Sequence, residues 1–140
     1  MINKINIKKF YLLTIKMGDF KKHMQLAQEK LRAVVTSFNK GDMSVVGDLS
    51  TKVIEQIIEA DASKQNKHFG SHTERHSFSN EEYPQEINIL MKKIWFAYGG
   101  LGYDGGNGNT AKSIVKKLNK VLDFFEKRLG VKIGPRAIIN

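Results

Sequence analysis

Residues 109–130 read NTAKSIVKKLNKVLDFFEKRLG. Ile114, Val115, Leu118, Val121, Leu122, Phe125 and Leu129 recur at the three-to-four spacing of one helical face. Asn109 or Thr110 is a suitable N-cap, and Gly130 a suitable stop. Lys112, Lys116 and Lys120 share the opposite face, with Lys117, Lys127 and Arg128 alongside. A helix this strongly two-sided needs other helices to cover its apolar stripe.

Such helices lie upstream. Phe20, Met24, Ala27, Leu31, Val34, Val35 and Phe38 form a stripe that Asp19 can cap, ended by the turn Asn39-Lys40-Gly41-Asp42. Val45, Val46, Leu49, Val53, Ile54, Ile57 and Ile58 form a second stripe, closing at residues 60–62. Residues 63–79 are polar and read as loop or broken helix. A third helix is expected from Ser79 or Asn80, with Glu81 and Glu82 in its first turn and Pro84 near N1. Ile87, Leu90, Met91, Ile94, Trp95 and Tyr98 carry its face into a glycine-rich stretch. No alternating strand pattern competes, so the expected class is all-α.

The chain has 140 residues, enough for one core, and 41 % of them are hydrophobic. With no cysteine, disulfides and Cys-ligated metal centres are excluded. An intracellular, cytoplasmic setting is the expectation. No apolar run is long enough to span a membrane. Residues 1–18 read as an N-terminal extension, with Met17 as an alternative start, and the core is expected in residues 19–130. Residues 131–140 read as a short extended tail.

The net charge of +9 is uneven. Residues 1–22 carry +5, residues 23–109 carry −2 and residues 110–140 carry +6. Basic ends that meet in space would form a face for a polyanion.

The glycine stretch Tyr98-Gly99-Gly100-Leu101-Gly102-Tyr103-Asp104-Gly105-Gly106 lacks the spacing of a nucleotide-binding loop and follows a helix rather than a strand. Gly99 and Gly100 are expected to permit close helix approach, and Asp104-Gly105-Gly106 to make a turn. With Ala111 and Val115 behind it, this stretch resembles the ribonuclease III signature. Val45-Val46-Gly47-Asp48-Leu49 resembles that family's second landmark, a Gly-Asp pair on a helix, in the same chain order. The resemblance covers about residues 20–130. It implies a ribonuclease III endonuclease-type helical bundle, a homodimer, double-stranded RNA as partner and Mg2+ as cofactor.

The acidic centre departs from that family. Asp48 matches the Gly-Asp carboxylate and is the one metal ligand that carries over. The family's other acids fall on Gly41, Ser44, Lys92 and Trp95. Asp42 is a second candidate catalytic carboxylate if the helix begins late. Magnesium needs several oxygen ligands, so one carboxylate makes a weak site. The expectation is therefore an RNA-binding or RNA-processing protein with impaired or absent cleavage. RNA contact would fall to Lys112, Lys116, Lys117, Lys120, Lys127 and Arg128, and six phosphate contacts imply a log–log salt slope of about −4 to −5.

Two alternatives remain at this stage. One is an active, divergent Mg2+-dependent endoribonuclease recruiting Asp42, Glu81, Glu82 or Glu86 to Asp48 across a dimer cleft. The other is a HEPN-type interaction module, without the Arg-to-His spacing of its active members because Arg75 adjoins His76. His68, His72 and His76 recur every four residues. They are either zinc ligands on one helical face or, with Arg75, a polar loop facing solvent or RNA.

Overall fold

The computed structural model describes the backbone of residues 4–104 and 108–139, and the side chains of residues 19–100 and 108–139. Among the described residues there are five helices and no strand. They are α1 (Lys4–Lys40), α2 (Met43–Ser63), α3 (His72–Glu82), α4 (Gln85–Asp104) and α5 (Gly108–Leu129). None is long and apolar enough to cross a membrane. The all-α expectation holds at the level of class.

The second helix is the hub. It packs along α1 and against α4, α5 and α3. Val53, Ile54, Ile57 and Ile58 have no measurable exposure, and every position from Ile57 to Ser63 is buried. Around them lie Leu31 and Val34 of α1, Met91 and Ile94 of α4, and Ile114, Leu118, Leu122 and Phe125 of α5. All seven apolar positions read on α5 are buried.

Two glycine stops are as expected. Gly41 between α1 and α2 has φ 84°, and Gly130 after α5 has φ 69°, both in the left-handed region. Other boundaries differ. The first helix begins at Lys4 rather than Asp19, so Asp19 lies inside it and caps nothing. Continuing a helix through Gly18 costs only about 1 kcal/mol relative to alanine. The segment read as loop or broken helix contains the start of α3, whose cap Ser71 accepts from the Glu74 amide and donates to the Glu74 carboxylate. That Ser-x-x-Glu pattern is a helix start legible in the sequence.

Pro84 stands between α3 and α4 and opens α4, instead of lying in the first turn of a helix begun at Ser79 or Asn80. Tyr83 ahead of it is extended (φ −111°, ψ 152°), as a residue before proline must be. The amides of Ile87 and Asn88 then bond to the Pro84 carbonyl to start α4. Glu81 and Glu82 thus end α3. Buried Asn88 fastens the break: its Nδ2 donates to the carbonyls of Ser79 (3.0 Å) and Tyr83 (3.2 Å), and Ser79 Oγ donates to its Oδ1.

The C-terminal segment is irregular but packed. Ile133 and Ala137 are buried against the bundle. The Ile133 amide donates to Glu126 at 2.7 Å, and Gln28 of α1 donates to the Lys132 carbonyl at 3.4 Å. A Cβ on Gly134 would stand 3.0 Å from Leu31 Cδ2, so the backbone lies close on α1 there. Arg136 holds Asp123 and Glu126 of α5. The segment straps α5 to α1.

Replacing Ile133 by alanine should therefore cost about 2–5 kcal/mol of stability. Replacing exposed Ile138 should change it by less than about 0.5 kcal/mol. Urea midpoints of the two variants check this difference.

Candidate functional site

Amphipathicity decides the outer face of α5. With its apolar stripe turned inward, Lys112, Lys116, Lys120 and Lys127 are exposed. Among the described residues none of the four has an acidic partner within ion-pair distance. Lys117 lies further round the helix, donates to Ser113, and shares a shallow cleft with Lys93 of α4. Asn109, Thr110 and Ile114 also line this cleft. Lys93 was not legible as part of the basic face, because its place beside α5 depends on how α4 packs.

Arg128 has another task. Its Nε donates to buried Asp61 at 2.9 Å and its Nη2 to Glu82 at 3.3 Å, and its guanidinium lies 5.0 Å from the Tyr83 ring centre. The Tyr83 hydroxyl donates to the same Asp61 oxygen at 2.6 Å. Burial first, and then the Asp61 charge, raise the Tyr83 pKa well above its ordinary value, so the phenol keeps its proton and donates. Arg128, expected on the RNA face, ties α5 to the ends of α2 and α3.

Within the single chain Asp42 and Asp48 stand apart. Asp42 is the N-cap residue of α2, exposed, with no capping bond from its side chain. Asp48 keeps 48 % of its side-chain exposure and pairs with Lys52, one turn along, at 3.1 Å. Six helical residues separate these two carboxylates by about 9 Å along the axis and place them on different faces. Of the other acids considered, Glu82 is held by Arg128, and Glu81 and Glu86 are exposed. Gly47 is buried, and its carbonyl accepts from Thr51 Oγ1 at 3.0 Å.

The glycine expectations divide. A Cβ at Gly99 or Gly100 would meet nothing within 4 Å, so neither glycine is needed for a close helix approach. Asp104 ends α4, while the side chains of Tyr103 and Asp104, and all of Gly105 and Gly106, lie outside the described residues.

The histidines do not gather as a trio. His68 lies 3.3 Å from Glu59, His72 lies 3.2 Å from Glu55, and His76 meets Trp95 edge-on at 4.2 Å between ring centres. Glu59, 3 % exposed, is the focus. Its Oε1 accepts from Arg75 Nε at 3.0 Å and its Oε2 from the Phe69 amide at 3.1 Å. His23 of α1 stacks on His68 with ring centres 5.8 Å apart and hydrogen-bonds through Nδ1 to Gln56 Oε1 at 2.8 Å. Sequence reading missed Glu59 and His23. The available signal was an acid inside the apolar run Ile57-Ile58-Glu59-Ala60, where an unpaired charge would be costly.

The chain matches no family model, no curated protein and no solved structure.

Arg128→Ala removes a partner from buried Asp61 and should cost about 2–3 kcal/mol, less than a fully buried pair because the Arg128 side chain retains 28 % exposure. Lys120→Ala, on the outer face, should stay within about 0.5 kcal/mol of the parent. Denaturant unfolding of both variants tests the division of labour on α5.

A pH effect follows from His76. Burial, with His72 and Lys92 nearby, lowers its pKa below the ordinary 6.5. The unfolded chain therefore takes up this proton first, and stability should fall as pH drops through about 6.5. In His76→Gln the slope of urea midpoint against pH should be shallower.

Proposed function

We propose that this protein is an RNA-binding helical module whose contact face is the outer side of α5, extended by Lys93. The observation that carries this reading is the row Lys112, Lys116, Lys120 and Lys127, exposed on one face and without acidic partners among the described residues. From first to last the row is about 22 Å long, enough to follow several successive phosphates. By contrast Arg128 on the same helix and Arg136 beside it are engaged by acids of the fold, Asp61 and Glu82 for the first and Asp123 and Glu126 for the second.

Double-stranded RNA as the preferred form rests on the resemblance to ribonuclease III. Cleavage is not part of the proposal. A water-activating magnesium centre needs converging carboxylates, whereas Asp48 is paired with Lys52 and belongs to no cluster of three potential metal ligands among the described residues.

The test is fluorescence anisotropy with double-stranded RNA, single-stranded RNA and duplex DNA of equal length, across a salt series. Four phosphate contacts predict a log–log slope of about −3 to −4 on the duplex. Replacing Lys116 and Lys120 by alanine should reduce its magnitude by about 2. Loss of the reading would follow from a slope unchanged in the double variant, or from no RNA binding at low salt. Magnesium-dependent cutting abolished by Asp48→Ala would favour the active endoribonuclease instead.

A further inference from the structure

We propose that His23, Glu59 and His68 form a binding site for one divalent transition-metal ion of the zinc class. One ligand atom from each residue lies within 4.8 Å of the others. A tetrahedral ion with bonds of about 2.0–2.1 Å needs its ligand atoms roughly 3.4 Å apart, so closure requires only a small inward movement. His68 supplies the freedom: it sits on the α2–α3 connection with its side chain 76 % exposed.

The other two ligands are held in place. With Gln56 Oε1 accepting from His23 Nδ1 at 2.8 Å, the proton is on Nδ1 and the lone pair is on Nε2. That is how proteins orient a metal-binding imidazole. Glu59 is fixed by the Phe69 amide on one oxygen and Arg75 on the other, which holds the carboxylate in one orientation. The rings of His23 and His68, from elements far apart in sequence, are stacked beside that carboxylate.

Two imidazoles and one carboxylate suit zinc, cobalt, nickel or copper rather than magnesium. The exposure of His68 leaves the remaining coordination positions toward solvent, the open arrangement that admits water or a ligand. This site is independent of the lysine row on α5 and of Asp48.

The experiment uses the full, untagged chain stripped with a chelator and then titrated with Zn2+ by calorimetry. Co2+ serves as an optical probe of the coordination geometry. The parent should bind one equivalent at micromolar concentration, and the Co2+ form should show visible ligand-field bands. His68→Ala leaves an exposed position and a folded chain, verified by circular dichroism, and should weaken binding by about 10-fold or more. His23→Ala should do likewise, Gln56→Ala should weaken binding through loss of ring orientation, and His72→Ala should leave it unchanged. Absence of binding at millimolar Zn2+, or one-equivalent binding retained in both His23→Ala and His68→Ala, overturns the proposal.

Discussion

Glu59 and Asp61 stand two residues apart near the end of α2, where every side chain from Ile57 onward is buried. At 100° per residue they point to nearly opposite sides of that helix. A carboxylate taken out of water without a partner is far costlier than any single packing contact is favourable. Each acid must therefore meet a cation, and the two cations must come from different directions. Arg75 of α3 answers Glu59, and Arg128 of α5 answers Asp61. The requirement fixes where α3 and α5 lie around α2 more sharply than apolar packing does, since hydrophobic contact is not directional.

The same requirement separates the two surfaces of interest. On α5 it turns Arg128 toward Asp61 and Tyr83, and the lysines on the remaining outward face keep their charges available to a polyanion. On the α1–α2–α3 side, the fixing of Glu59 draws in the connection that bears His68. His23 arrives from α1 because α1 runs along α2, and Gln56, one turn before Ala60, sets its ring. One face is a spread of long flexible cations, and the other is a compact group of shorter side chains locked by hydrogen bonds. The first suits a repeating charged backbone, and the second suits a single small ion.

Elements with strong periodicity were legible in advance. The whole apolar stripe of α5 is buried, and that of α2 is buried at Val46, Val53, Ile54, Ile57 and Ile58 while Val45 stays exposed and Leu49 half-buried, because a helix with one apolar side satisfies it by turning inward and the first turn of α2 lies at the edge of the bundle. The glycine turns at Gly41 and Gly130 were legible because a left-handed residue at a helix end is nearly a glycine monopoly. The missed boundaries have local causes. A weak stripe hid α3 although its Ser71 cap was present, and Pro84 was placed inside a helix start instead of between two helices. The C-terminal strap escaped because Ile133 and Ala137 have no periodicity, and their burial exists only once α1 and α5 stand side by side.

The order of apolar and polar residues alone determined an all-helical bundle with a lysine face on α5, since amphipathic spacing is a property of each segment by itself. Tertiary structure decided which charges stay free and which are held. Arg128 and Lys120 belong to the same basic helix, and only the nearness of Asp61 makes one a tie within the fold and leaves the other to solvent. It likewise decided that His68 meets Glu59 and His23 rather than His72 and His76. The three side chains come from different elements whose mutual distances no local pattern records.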